Sequence, residues 1–168
     1  MPRDLGEGPV PAWVQKELDE QKAREQASVA AGSSQQAELG KKIQALKSWA
    51  VATCKDQIRA RIAQLRNEIR LASDIMALLE ISYRIKSLNS ELERIRGLVP
   101  FETGQPLAMD ANAPQIEVLR SLTMAAIGYI DNATRAIQNT INTPSFNELP
   151  KIVLLVQTIN TVKTAVVI

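Results

Sequence analysis

The chain has 168 residues, of which 45% are hydrophobic, 4% aromatic and 23% charged, with a net charge of +2. That apolar content excludes wholesale disorder, and the length suffices for one domain with a buried core or for one long helical assembly. Histidine is absent and cysteine occurs once, at Cys54, which excludes an intrachain disulfide, a Cys/His metal site and any histidine-dependent triad or di-iron motif.

The opening stretch MPRDLGEGPVP has no apolar h-region, so a secretory signal is not expected. Pro2 stands where myristoylation needs glycine, and the last residues hold no prenylation cysteine. A first helix is predicted from about Pro11 to Ala31, rich in Gln, Glu, Lys and Ala, with Trp13, Val14 and Leu18 as its large apolar residues. Trp13 and Trp49 read as packing anchors rather than ligand platforms. Gly32-Ser33-Ser34 reads as the end of that helix and a cap for the next. Residues 1–33 are thus an acidic arm with a short helix.

From Gln35 to Arg96 there is no proline, and Gly40 is the only glycine. Ile62, Leu65, Ile69, Ala72, Met76, Leu79 and Tyr83 alternate spacings of three and four, a heptad pattern. Upstream, Ala50, Cys54, Ile58 and Ile62 are four apart, which shifts the seam. Downstream the stripe resumes on another face at Ile81, Ile85, Leu88, Leu92 and Ile95. The pattern predicts one coiled-coil-like helix over 34–97, about 60 residues and roughly 90 Å long, closed by Gly97 and Pro100. Leu65, Ile69, Met76 and Leu79 are its predicted buried seam.

The connector LVPFETGQPLAMDANAP is too apolar for a free linker and reads as a packed corner. A third helix is expected from Pro114 to about Asn142, capped by Asn112, with Ile116, Leu119, Leu122, Ala126, Ile130, Ala133, Ile137 and Ile141 as its stripe. SFNE at 145–148 has capping-box spacing for a fourth helix. In LPKIVLLVQTINTVKTAVVI the longest apolar run is only Ile152 to Val156, and Lys163 follows. A membrane span needs about 20 mostly apolar residues, so an anchor is disfavoured. Ile152, Leu155, Val156, Ile159, Val162 and Val166 share one helical face, which predicts a docked amphipathic helix. The fold class is all-α: an elongated bundle in which 98–168 supplies a connector and two helices that pack back on the long helix as an antiparallel three-helix bundle.

Charge is uneven. Residues 1–40 hold four basic and seven acidic side chains, whereas 41–72 hold eight basic and two acidic. Lys41, Lys55, Arg59, Arg66 and Arg70 fall in a narrow stripe beside the apolar seam. Three readings compete: a solvated face, pairing with Glu17, Asp19, Glu20 and Glu25 across a hairpin at Gly32–Ser34, or contact with phosphates. The aromatic or Gly-rich elements that accompany nucleic-acid modules are missing. With Arg59 and Arg66 at e positions and Arg61 at g, a parallel homodimer would oppose like charges, so antiparallel or hetero-pairing is favoured.

Catalytic motifs fail one by one. ELGKK is not a phosphate-binding loop, because Gln35 occupies the position of the first glycine. Cys54 has Lys55 beside it but sits in the apolar series, so it reads as a buried structural thiol. Glu91 and Glu93 point in different directions on a helix and read as surface charge. Asn132-Ala133-Thr134 fits a glycosylation sequon that is read as chance. No cofactor and no metal are expected. The favoured reading is non-enzymatic and architectural: an oligomerising helical component of a larger particle, in the class of capsid-associated virus or phage proteins, whose Gly/Pro-rich start and Gly-Ser-Ser joint would need a packed assembly to pin them. The alternative is a helical adaptor or scaffold of a cellular complex, and the third reading a basic coiled coil that binds nucleic acid through 41–70. Other protein subunits are the expected partners, in a virion or the cytoplasm.

Overall fold

The computed structural model describes residues 11–103 and 110–167, with the backbone alone over 27–33. Expectations for the Gly/Pro-rich start and for the middle of the connector (104–109) fall outside the described residues. All regular elements among the described residues are helical: α1 (Ala12–Ala52), a π-helical turn (Thr53–Ile58), α2 (Arg59–Leu71), α3 (Ile75–Lys86), α4 (Leu88–Ile95), α5 (Gln115–Ile141) and α6 (Leu149–Val167). The chain divides into two units, 1–42 and 43–168.

In the first unit, α1 runs straight through Gly32-Ser33-Ser34, where the sequence predicts a break. A single interior glycine costs a helix only about 1 kcal/mol, and no proline enforces a stop. No hairpin turn therefore forms at that joint. The described side chains of 11–26 are exposed, apart from a half-buried Val14, and Trp13 is not a packing anchor.

In the second unit the expected 60-residue helix is two antiparallel rods rather than one. The first rod is the end of α1, the π turn and α2; the chain reverses at Ala72–Asp74, and α3 with α4 forms the second. Ala72 and Asp74 have extended backbone (ψ 126° and 124°), and Asp74 Oδ1 accepts a hydrogen bond from Met76 N–H at 3.0 Å. A short Asp side chain offers its own backbone a capped start that competes with continued helix. The heptad spacing does not register this competition, so the seam appears unbroken in the sequence.

The π turn explains the run of fours. At 3.6 residues per turn, each four-residue step overshoots by about 40°, and three such steps would carry Ile62 far off the face of Ala50. A π turn takes more residues per turn and undershoots. With one such turn at Thr53–Ile58, Ala50, Cys54, Ile58 and Ile62 all stay buried.

Side-chain contacts fix the rod directions. Lys47 near the start of the first rod reaches Thr143 O, while Ile69 and Arg70 at its end meet Arg120, so α5 runs antiparallel to it. Ala72, just before α3, also meets Arg120, and Glu93 in α4 meets Tyr129, so the second rod runs parallel to α5. Arg61 meets Val166 O, and α6 runs with the first rod. The bundle thus has four rods, and because α4 and α5 run parallel the link between them is a crossover connection. It replaces the expected three-helix arrangement because the break at 72–74 adds a rod. The first rod and the second each pack on α5 and α6. One core contains Ile62, Leu65, Ile69, Leu78, Ile85, Leu92, Ile130, Ile137, Ile152, Leu155, Ile159 and Val162. It is aliphatic, with Tyr129 its only buried aromatic among the described residues.

Two predicted caps differ. α5 starts after Pro114, whose fixed φ suits a helix start, and Asn112 instead donates its N–H to Asp110 Oδ1. α6 starts at Leu149, too late for Ser145 to serve as its cap. The described start of the connector packs: Val99 is buried, and the Phe101 ring lies 5.4 Å from that of Tyr129.

Candidate interaction surface on α3

Four residues of the predicted seam on the long helix are divided by the reversal. Leu65 and Ile69 are buried in α2, but Met76 and Leu79 are 67% and 44% exposed. Tyr83, the next residue of the same spacing, is 85% exposed. The cause is the reset of helical phase at Ala72–Asp74: α3 turns Leu78, Ile81 and Ile85 to the core instead, and α4 continues with Leu88, Leu92 and Ile95. Met76, Leu79 and Tyr83 then lie within a narrow arc on the outer side, at three- and four-residue spacing, with Ile75 (38% exposed) at its edge. Met76, Leu79 and Tyr83 line a surface depression with Asp74, Ala77, Glu80, Ser82 and Lys86. Leu71 at the end of α2 is also exposed.

On α6, Ile152, Leu155, Ile159 and Val162 are buried and Val156 is half-buried, so the helix is docked along its predicted face. Val153, Leu154 and Val167 stay partly exposed on another side. No helix among the described residues is long and apolar enough to cross a membrane.

The basic stripe is not one uniform face. Lys41, Lys55 and Arg70 are exposed, and Arg59 is half-buried near Cys54. Arg66 lies 3.4 Å from Asp131, a buried carboxylate that Arg135 also approaches at 3.2 Å. Other cations of the same segment turn inward. Lys47, itself buried, donates to Thr143 O at 2.9 Å in the turn that ends α5. Arg61 Nε donates to Val166 O at 3.2 Å in the last turn of α6. From α5, Arg120 donates to the carbonyls of Ile69, Arg70 and Ala72 at the end of α2. Two helix ends, those of α2 and α6, therefore receive a cation from a neighbouring rod, where the last carbonyls lack helical partners and carry the negative end of the dipole. Lys47 instead meets a turn carbonyl that also accepts from Phe146 N–H.

Burial pushes the Cys54 thiol up to about 12, against a smaller lowering by Arg59, so it stays protonated near neutral pH. Trp49 is exposed rather than an anchor. Glu93, expected as plain surface charge, accepts from Tyr129 Oη at 2.7 Å; that bond, with Arg96, holds its carboxyl below the usual value. Burial, and then Glu93, push Tyr129 up to about 12. Among the described residues no group of three or more His, Cys, Asp or Glu side chains is placed to hold a metal ion.

Sequence reasoning missed Arg120, Asp131 and the Tyr129–Glu93 pair. Asp131 carried a usable signal, an acid in the middle of an apolar helix. Arg120 carried none, because its partners are backbone carbonyls 48 to 51 residues away. Comparison with protein-family models, curated proteins and solved structures gives no match.

Proposed function

We propose that this chain is a non-enzymatic assembly protein, an oligomerising helical component of a larger particle of the kind to which capsid-associated virion proteins belong. The observation that carries the reading is the outward apolar stripe of α3. Met76, Leu79 and Tyr83 keep seam spacing yet face away from the chain's own core. Scattered exposed apolar side chains are ordinary, but a contiguous stripe of them with a polar rim marks an interaction site. The outer side of α6, with Val153 and Leu154, supplies further apolar surface. The inward use of Lys47, Arg61 and Arg66 favours this reading over the nucleic-acid one, since it takes cations of the basic segment away from phosphate contact.

Molar mass measured by light scattering over a wide concentration range tests it. The expected result is a mass above that of a single chain, rising with concentration. A compact monomer throughout overturns the proposal.

A further inference from the structure

From the charge pattern of the α3 stripe we infer that its partner is the same stripe of a second copy, packed antiparallel about a two-fold axis. The inference rests on the assembly reading and names the partner for that surface.

The stripe is short and polar at its two ends. It begins at Asp74, which caps the helix, and its apolar residues are Ile75, Met76, Leu79 and Tyr83. Seven residues after Leu79, on the same face, comes the exposed Lys86. One end is therefore acidic and the other basic, and the helix dipole has the opposite sense, positive at Asp74 and negative at Lys86. A parallel copy would set Lys86 against Lys86 and Asp74 against Asp74. An antiparallel copy sets each Asp74 against the partner's Lys86 at both ends and opposes the two helix dipoles.

Side-chain sizes agree with that orientation. In antiparallel seam packing, positions four apart meet crosswise, so Leu79 of each copy packs on Tyr83 of the other, and the two aromatic rings fill the centre. Met76 then lies against the aliphatic stem of the partner's Lys86, whose ammonium extends about half a turn further to Asp74. A two-fold contact of this kind is self-complementary and closes on itself, so the dimer is the unit from which further assembly proceeds.

The test is a charge exchange read by sedimentation or light scattering. Lys86→Glu alone makes both ends acid-on-acid, and Asp74→Lys alone makes both base-on-base; each is expected to weaken self-association by roughly tenfold. An equimolar mixture of the two variants restores complementary ends and is expected to form a heterodimer of wild-type affinity. Loss of the Asp74 cap cannot produce that rescue. Tyr83→Ala, an exposed position, is expected to abolish the dimer with helicity and Tm of the single chain unchanged. A mixture no tighter than its components overturns the inference. Oligomers that persist unchanged in all three variants overturn α3 pairing but leave the assembly reading standing, whereas a wild-type monomer at every concentration overturns both.

Discussion

Arg120 lies at the point where the two rods and α5 meet, and it does with one side chain what a helix C-terminus usually needs a turn to do. Its guanidinium supplies donors to Ile69, Arg70 and Ala72 and pairs with Glu117 at 3.3 Å. Arg120→Leu keeps the stem's bulk and leaves three carbonyls without that donor, two of them part-buried, so a loss of about 1–3 kcal/mol is expected in urea unfolding. Arg120→Lys should recover only part of it, since one ammonium cannot match a planar fork of donors; full recovery would mean that charge alone matters. Cys54 gives a prediction in pH. Its thiol is raised from 9.0 to about 12 in the fold, chiefly by burial. The unfolded thiol therefore ionises first, so stability present below pH 9 is lost as pH rises toward 12. Tyr129, raised from 10.0 to about 12, acts in the same direction from pH 10 upward. Tm should fall above pH 9 in the wild type, and only above pH 10 in Cys54→Ala. An identical onset in both proteins would place the alkaline transition elsewhere.

At the scale of elements, the boundary at Ala72–Asp74 decides which apolar residues are core and which are surface. The heptad count across 62–83 is correct as arithmetic, and Leu65 and Ile69 are buried as it implies. It misplaces Met76 and Leu79 because spacing records only phase within one helix, and a cap resets the phase. Apolar faces elsewhere were legible, above all Ile152 to Val166, within one helix, and Ile81 to Ile95, where Ser87 between α3 and α4 keeps αR backbone (φ −63°, ψ −20°) and so keeps the phase. The signal for the break was local: Ser73 and Asp74, two residues that favour caps over helix interiors. Contacts with no sequence period, such as Lys47 and Arg61 on distant carbonyls, were not legible at all. Two substitutions separate the halves of the old seam. Leu65→Ala empties a fully buried site and should cost about 2–5 kcal/mol. Leu79→Ala trims a side chain at a 44% exposed position and should cost far less, about 0.5–1 kcal/mol of single-chain stability. Denaturant titrations at low concentration measure both, and comparable losses would mean that α3 presents its other face to the core.

For the molecule as a whole, the four rods make α6 a wall of the core rather than an appendage. Its face from Ile152 to Val166 packs against the π turn, α4 and α5, and to a smaller extent against α2 and α3. Each aliphatic side chain fully buried there contributes about 1.5–3 kcal/mol, so Ile152, Leu155, Ile159, Val162 and Val166 together are comparable to the roughly 5–15 kcal/mol of net stability typical of a domain. Removing residues 150–168 uncovers core residues on two rods and on α5 at once, and it leaves Arg61 without the Val166 carbonyl that it meets. The helices left behind have matching apolar faces and no fourth rod to satisfy them. Their local propensity persists, because α2 and α5 carry their own periodicity, but nothing fixes one packing. Circular dichroism should therefore retain much of the helical signal per residue, while the thermal transition loses its cooperativity and the truncated chain aggregates. A membrane-anchoring role for the same segment predicts the reverse pair of results: truncation improves solubility, and the intact chain floats with liposomes on a density gradient. The burial of Ile152, Leu155, Ile159 and Val162 favours the first outcome, since a face already packed in the bundle can enter a bilayer only by opening the core. Flotation of the intact chain, with its thermal transition preserved, would show that α6 leaves the bundle at little cost and would overturn its place as the fourth rod.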